Sequence, residues 1–354
     1  MAVFMSSPSS HMLRFAALLS LLVCVACQGN AVGERPPEQG DSGSSGSAGS
    51  GSAGSAAGSG AAGAGAAGAD DVCQTPCALV VDQSVGSLAI DTTDVYYGSE
   101  NSIWRVSKEG GPPSEVASGL VQPAKIDLAS SVVVVLDYRR RIVAVDKTGG
   151  AFTVLWEDGD PFARFWDIAV NEKYVAVLRT VGDLDGSIVS VPLVGGEPTV
   201  LANTDVGCWP QLGHGIALSP THAYWGEGVS IKRVALGGGV VETVCDTDNH
   251  AHALAVGTNL VYWAEGAGGL SFGPLEGGSK TSVAGGGIAE ELAVDSGHVY
   301  WTSGSTLLRS TFGTSISQVF QNGISQLSDL AVDESHVYYG SASPTGMSVA
   351  KVAK

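Results

Sequence analysis

Three side chains able to ligate a metal or exchange a proton recur at one interval. His214, His252 and Glu290 are separated by two steps of 38 residues, and each stands two residues before a short apolar stretch. His250 lies close to the second of them and Glu291 follows the third. Two imidazoles and a carboxylate brought to a common point can bind one divalent metal ion or act as general acid and base. The corresponding slot elsewhere holds Gly86, Gln122, Trp166 and Ser328, so the set is asymmetric, as a binding site is; ordinary loop residues at a polar opening are the alternative. The other histidines differ: His222, His298 and His336 share another slot, two residues before a Tyr, and read as turn-filling. Asp91, Asp127, Asp295 and Asp333 end short apolar stretches, where an Asx-type turn is expected. Gly182-Asp183-Leu184-Asp185-Gly186 lacks the spacing of an EF-hand and reads as a hairpin. There is no G-x-S-x-G, no H-E-x-x-H and no phosphate loop, so no catalytic and no cofactor-binding set is assigned.

What must position these residues is a repeated unit. LAIDTTDVYYGS (88–99), IALSPTHAYWGE (216–227), LAVGTNLVYWAE (254–265), LAVDSGHVYWTS (292–303) and LAVDESHVYYGS (330–341) are copies, with weaker ones at 124–137 and 168–179. A period of roughly 40 residues with β-rich content predicts blades. Within 292–323, LAVD, Val299–Thr302, Leu307–Ser310 and Ile316–Phe320 read as four strands of a meander, and such sheets set radially make a β-propeller. Ala89, Ala169, Ala217, Ala255, Ala293 and Ala331 share one slot of the first strand, which suits a crowded strand lining a central channel. Glycine pairs such as Gly110-Gly111 and Gly149-Gly150 supply the positive φ of tight hairpins. Counting first strands predicts seven blades; a six-bladed ring with one degenerate copy outside it is the alternative. The last copy is one strand short, and Ala78–Asp82 lies where a fourth strand would precede the first blade. That N-terminal strand is expected to close the ring and remove open sheet edges.

The unit resembles the YWTD-type propeller repeat, and the chain over 78–354 is similar to bacterial envelope lipoproteins that carry such repeats. Two features depart from it. YWTD rings of receptor ectodomains have six blades, and the motif's Asp is replaced here by Ser99, Glu227, Glu265, Ser303 and Ser341.

Residues 1–26 read as a signal peptide: Arg14 precedes an apolar run from Phe15 to Ala26 that is short for a membrane span. Val-Cys-Val-Ala-Cys27 resembles a lipobox, which makes Cys27 the expected lipidated residue. Residues 27–72 then form a tether, with Ser42 to Ala69 purely Gly, Ser and Ala; it buries too little apolar area to offset ordering entropy. As a coil it spans about 35–40 Å. The propeller occupies 73–354.

The formal charge of −17 argues against nucleic acid and anionic membrane surfaces as partners. The membrane is expected to be met through the lipid anchor only. Six cysteines make three pairs, Cys24 and Cys27 belonging to the signal. In an exported protein the rest predict disulfides, Cys73–Cys77 and Cys208–Cys245. The expected function is a monomeric, membrane-tethered binding or scaffolding module at the bacterial cell envelope, on the outer membrane or cell surface, contacting an envelope protein or glycan. The alternative is a propeller-type lyase or hydrolase with a divalent metal at the channel mouth, held by His214, His252 and Glu290.

Overall fold

The computed structural model describes residues 76–354 apart from 139, 183–184, 205–214, 267, 285–286, 325–326 and 342–346. Among the described residues every strand belongs to one of seven four-stranded antiparallel sheets. These are the seven blades: 88–117, 123–157, 163–204, 216–246, 251–283, 292–321, and 327–353 completed from the other end of the chain. The closing strand is Cys77–Val81, one residue earlier than expected, and it pairs antiparallel with Met347–Ala353. Seven blades, not six, therefore make the ring. No helix long and apolar enough to cross a membrane occurs among the described residues.

Each of the seven gaps between neighbouring blades holds its own apolar cluster. The aromatic second strands supply them: Tyr97, Trp225, Trp263, Trp301 and Tyr339 are all fully buried. Face-to-face packing of small-residue inner strands leaves a central channel of about 800 Å3, lined by the first strand of every blade. The glycine pairs between third and fourth strands all have positive φ, for example 85° and 118° at Gly110 and Gly111.

The Asx turns form at Asp91, Asp295 and Asp333, each accepting two backbone N–H groups two and three residues on. Each of these carboxylates also meets a lysine of the next blade: Asp91 with Lys147, Asp333 with Lys108 and Asp295 with Lys354. The ammonium lies over the ring of Tyr96, Tyr338 or Tyr300 in the same order. The lysine slot is defined by a backbone bond to the turn of its own blade. In the other blades it holds Leu193, Leu236, Leu275 and Phe312, and there the facing turn residue is uncharged: Ala129, Asn171, Ser219 and Gly257. Lysine stands only where an aspartate faces it. The three ionic latches span blades 6 to 7, 7 to 1 and 1 to 2, the sector where the closing strand completes the ring.

Burial works to raise the Asp333 pKa, but the Lys108 ammonium and the Ser335 and His336 N–H groups outweigh it and hold the carboxyl well below its usual range. A depressed carboxylate contributes stability above its unfolded pKa of about 3.9, and that contribution is lost as pH falls through the folded value. Asp333→Asn is expected to cost about 2 kcal/mol at pH 7, below the range for fully buried pairs because Asp333 is 26% exposed. Chemical denaturation should show the same gap at pH 5 and a shrinking one below about pH 4, near the unfolded carboxyl pKa.

Cys245 corrects one expectation. It is a free thiol in the core between blades 4 and 5, so the Cys208–Cys245 bond is not present. Its Sγ occupies the space that a Gly273 side chain would take, 2.3 Å from where that Cβ would stand. Burial there pushes the thiol pKa up. Cys208 lies outside the described residues, as does Cys73; Cys77 opens the closing strand.

Candidate functional site at the channel mouth

Charge at the channel mouth sits one position later in the repeat than the histidine spacing suggested. Immediately before the apolar start of each inner strand stand Ser87, Lys125, Asp167, Gly215, Ala253, Glu291 and Asp329. The register gives the reason. In four blades the first and second strands slip by one residue, between Pro123 and Lys125, Phe165 and Asp167, Ala251 and Ala253, and Leu327 and Asp329. The extra residue of each bulge is Ala124, Trp166, His252 or Ser328. A bulge leaves its extra residue outside the ladder and re-aims the side chains around it. Gln122 therefore does not share that slot; Ala124 does.

Of the predicted metal set the structure describes His252 and Glu290. His214 lies outside the described residues. His252 Nε2 is 2.7 Å from the Ala289 carbonyl oxygen, so that nitrogen carries the proton and donates it. Its Nδ1 is buried with no partner. Glu290 is exposed. Among the described residues no three His, Cys, Asp or Glu side chains converge as metal ligands. Trp166 donates from Nε1 to Thr180 Oγ1 at 2.9 Å, within its own blade. His222, His298 and His336 each pack on the Tyr two residues on, with ring centroids 6.0–6.3 Å apart, as turn-filling residues do.

Lys125 instead forms the centre. Its Nζ lies 3.4 Å from Glu291 Oε2 and 3.5 Å from Asp329 Oδ1, so one ammonium from blade 2 reaches carboxylates of blades 6 and 7 across the opening. Asp127 and Asp167 complete the group. Asp127 corrects a further expectation: it does not end its strand in an Asx turn. It occupies the channel-lining slot that holds alanine elsewhere, opposite Val134 as Ala89 is opposite Tyr96. Ala129 takes the turn position, its N–H bonded to Val132 O.

These carboxylates also join blades. Asp329 Oδ2 accepts from Ser87 Oγ at 2.6 Å and Leu88 N at 3.0 Å. Ser87 Oγ in turn accepts from Ile126 N at 3.0 Å. Asp167 Oδ2 accepts from Ile216 N at 3.0 Å, and Asp127 Oδ2 from Val170 N at 2.8 Å. Each bond crosses to the next blade.

Desolvation dominates the titration of Asp127, Asp167 and Glu291. Burial pushes Asp127 and Asp167 up to about 6, against backbone N–H bonds and Lys125, which pull down. Burial, with the charges of Asp329 and Asp167, pushes Glu291 up to about 7 despite Lys125. Burial alone would lower Lys125, but Asp329, Glu291 and Asp167 hold it well above the ordinary lysine range. One ammonium thus serves four carboxylates, and protons are taken up there between about pH 7 and pH 6.

The motif position that carries Asp in YWTD repeats is Asp137 in blade 2, which repeat matching overlooked because the residues before it are all aliphatic. It is fully buried, accepts from Val121 N at 2.9 Å and Gln122 N at 3.0 Å, and pairs with Arg141. Glu227 and Glu265 at the same position accept the indole N–H of Trp225 and Trp263 within their own blades.

Ring and channel define the class: a seven-bladed β-propeller. No family model matches the chain, and no curated protein matches it. Solved structures do. The WD40 β-propeller domain of Doa1 is 12% identical with a TM-score of 0.59, covering 80% of this chain and 96% of that one. A chain of the Mitotic Checkpoint Complex is 13% identical with a TM-score of 0.58, covering 83% and 98%. PorZ, an essential bacterial surface component of the type-IX secretion system of Porphyromonas gingivalis, is 9% identical with a TM-score of 0.58; the match covers 79% of this chain and 39% of PorZ. At these identities the likeness shows the fold alone.

Proposed function

We propose that this chain is a membrane-tethered β-propeller that acts as a binding or scaffolding module at the bacterial cell envelope, with a protein or glycan as its partner. One observation carries the reading. The charged groups at the channel mouth are bonded to each other and to backbone across blades, which fixes the ring and leaves recognition to the surface loops. A fold shared with a chain of the Mitotic Checkpoint Complex is compatible with a role in assembly. The lipobox resemblance at Cys27 and the Gly/Ser/Ala segment after it support anchoring by lipid with freedom to reorient. The Cys73–Cys77 disulfide is part of the proposal, as a clamp beside the closing strand.

Cys27→Ser is expected to move the protein from the membrane fraction to the soluble envelope fraction. Among the described residues no helix is long and apolar enough to replace a lipid. If the variant stays with membranes through a salt wash, lipid anchoring is wrong. Binding is tested by capture from envelope extract with the tether immobilised.

A further inference from the structure

The loop from blade 6 to blade 7 contains Asn322-Gly323, the single Asn-Gly of the chain. Both residues are exposed. Gly323 has φ 75°, and a Cβ there would meet nothing within 4 Å. Ile324 then turns back into the protein. Its N–H donates to Ser305 O at 3.1 Å, and its side chain is buried with Tyr300, Leu330 and Tyr339 in the cluster between blades 6 and 7.

Blade 1 builds the same loop from other residues. Gly119 has φ 81°, Leu120 N donates to Asn101 O at 3.1 Å, and Leu120 is buried between blades 1 and 2. The residue before that glycine is Ser118. Positive φ accounts for the glycine in both loops. The loop does not require an amide before it, yet blade 6 places one there.

An Asn side chain can be attacked by the backbone nitrogen of the residue after it. Three features leave Asn322 open to this. Gly323 has no Cβ to hinder ring closure. Among the described residues, neither the Gly323 N–H nor the Asn322 side-chain amide has a hydrogen-bond partner. Gln321 Nε2 donates to Asn322 O at 3.1 Å and polarises that carbonyl. The other asparagines of the propeller are guarded. Asn249 Oδ1 accepts from His250 N, the nitrogen that would have to attack. Asn171 Oδ1 accepts from Lys173 N and Tyr174 N, both at 2.9 Å. Asn101, Asn203 and Asn259 precede Ser, Thr and Leu, whose side chains hinder closure.

We infer that Asn322 deamidates spontaneously, and that the isoaspartate it forms loosens the Ile324 anchor between blades 6 and 7. Gly323 N bonds Asn322 Cγ as the Cγ–Nδ2 bond breaks, and ammonia leaves with the Gly323 proton. The product is a succinimide ring, which water opens. Attack at Cγ gives aspartate. Attack at the main-chain carbonyl carbon, the one Gln321 polarises, gives isoaspartate, whose backbone runs through Cβ and Cγ and is one atom longer. Inserted just before Gly323, that atom shifts the Ile324 N–H away from Ser305 O.

The test ages the full chain at pH 8 and follows it by peptide mapping. Asn322 should exchange NH2 for OH before any other asparagine, and faster than at pH 6, because the attacking nitrogen must lose its proton. An isoaspartyl methyltransferase should methylate the aged protein but not aged Asn322→Ser, which copies the loop of blade 1. Aged wild type should melt about 2 °C or more below fresh protein. Aged Asn322→Ser should melt as fresh wild type does. So should fresh Asn322→Asp, which has the new charge without the longer backbone. Earlier conversion of another asparagine would overturn the proposal, as would conversion of Asn322 only after urea has unfolded the chain. An aged protein that melts like the fresh one would show that the anchor survives and overturn it too. The same holds if Asn322→Asp melts as low as aged wild type, since charge alone would then be the cause.

Discussion

Lys125→Met is expected to destabilise the ring by about 3 kcal/mol at pH 7.5, the low end for removing one partner of a buried ion pair, because Lys125 is 29% exposed. The methionine keeps most of the side-chain volume, so the loss is electrostatic. Asp127, Asp167, Glu291 and Asp329 would then share the mouth without a cation. The sign of the pH dependence follows from the direction of the shifts. A carboxyl whose folded pKa is raised contributes stability that is fully present below its unfolded value of about 4 and is lost as pH rises through the folded value. With folded values of about 6 for Asp127 and Asp167 and about 7 for Glu291, wild type should be more stable at pH 5 than at pH 8. The variant raises those values further, so its deficit should be large at pH 8 and small at pH 5. Thermal melts of both proteins across that range decide it. An equal deficit at both pH values would mean that Lys125 acts by packing, and no deficit would mean that the cluster is solvated.

The latches on the turn side act in the opposite sense. Asp91, Asp295 and Asp333 are depressed and lose their contribution below about pH 4, the unfolded carboxyl value. The two sets together place the stability maximum near pH 4, about the unfolded carboxyl value: above it Asp127, Asp167 and Glu291 lose their contribution, and below it the latches lose theirs.

Periodicity made the ring legible. A repeat near 40 residues, the alanine slot and the glycine pairs each report a local requirement of a stacked blade, so copies could be aligned without tertiary knowledge. The missing last strand and its source at Ala78–Asp82 followed from the same alignment, to within one residue. The site was less legible, for two physical reasons. First, a bulge changes which residue of a strand start is left outside the ladder, and no single-strand pattern announces it. His252 is the extra residue of such a bulge and its Nε2 donates to a carbonyl, while the charged Lys125 and Asp329 stand one slot later. Second, Lys125 meets its partners across the ring at separations of 166 and 204 residues, and no local spacing encodes that. Asp127 was misplaced because blade 2 matches the repeat poorly; two residues of offset turn a channel carboxylate into a supposed turn residue. The slot now visible in seven copies, from Ser87 to Asp329, was present in the sequence. So was the pairing of lysine with an aspartate of the preceding blade. Both needed the register before they could be read.

Removing the closing strand should have the largest effect of any single change. Among the described residues Cys77–Val81 is the strand that covers the last strand's outer edge, pairing at Cys77–Lys351, Ala78–Ala350, Val80–Val349 and Val81–Met347. Val80 and Val85 are buried in the cluster between blades 7 and 1, with Leu88, Val95, Tyr97, Val106, Tyr338 and Val349. Gln83 N donates to Ser348 Oγ at 2.8 Å, Gln83 Oε1 accepts from the Tyr97 hydroxyl at 3.2 Å, and Val85 N bonds Ser341 O at 3.2 Å. A chain beginning at Gly86 loses all of this. Burial of the two valines alone is worth about 3–6 kcal/mol, comparable with the whole stability of many domains. The exposed edge of 347–353 would also invite pairing with another chain. Compared with a chain beginning at Asp70, the shorter one should melt without cooperativity or associate. A peptide spanning 76–85, added in excess, should restore part of the transition by refilling the edge. Equal melting temperatures for the two chains would show that seven blades close without their N-terminal strand. That result would leave the Lys108–Asp333 latch and the Asp329–Leu88 bond as what holds blade 7 to blade 1.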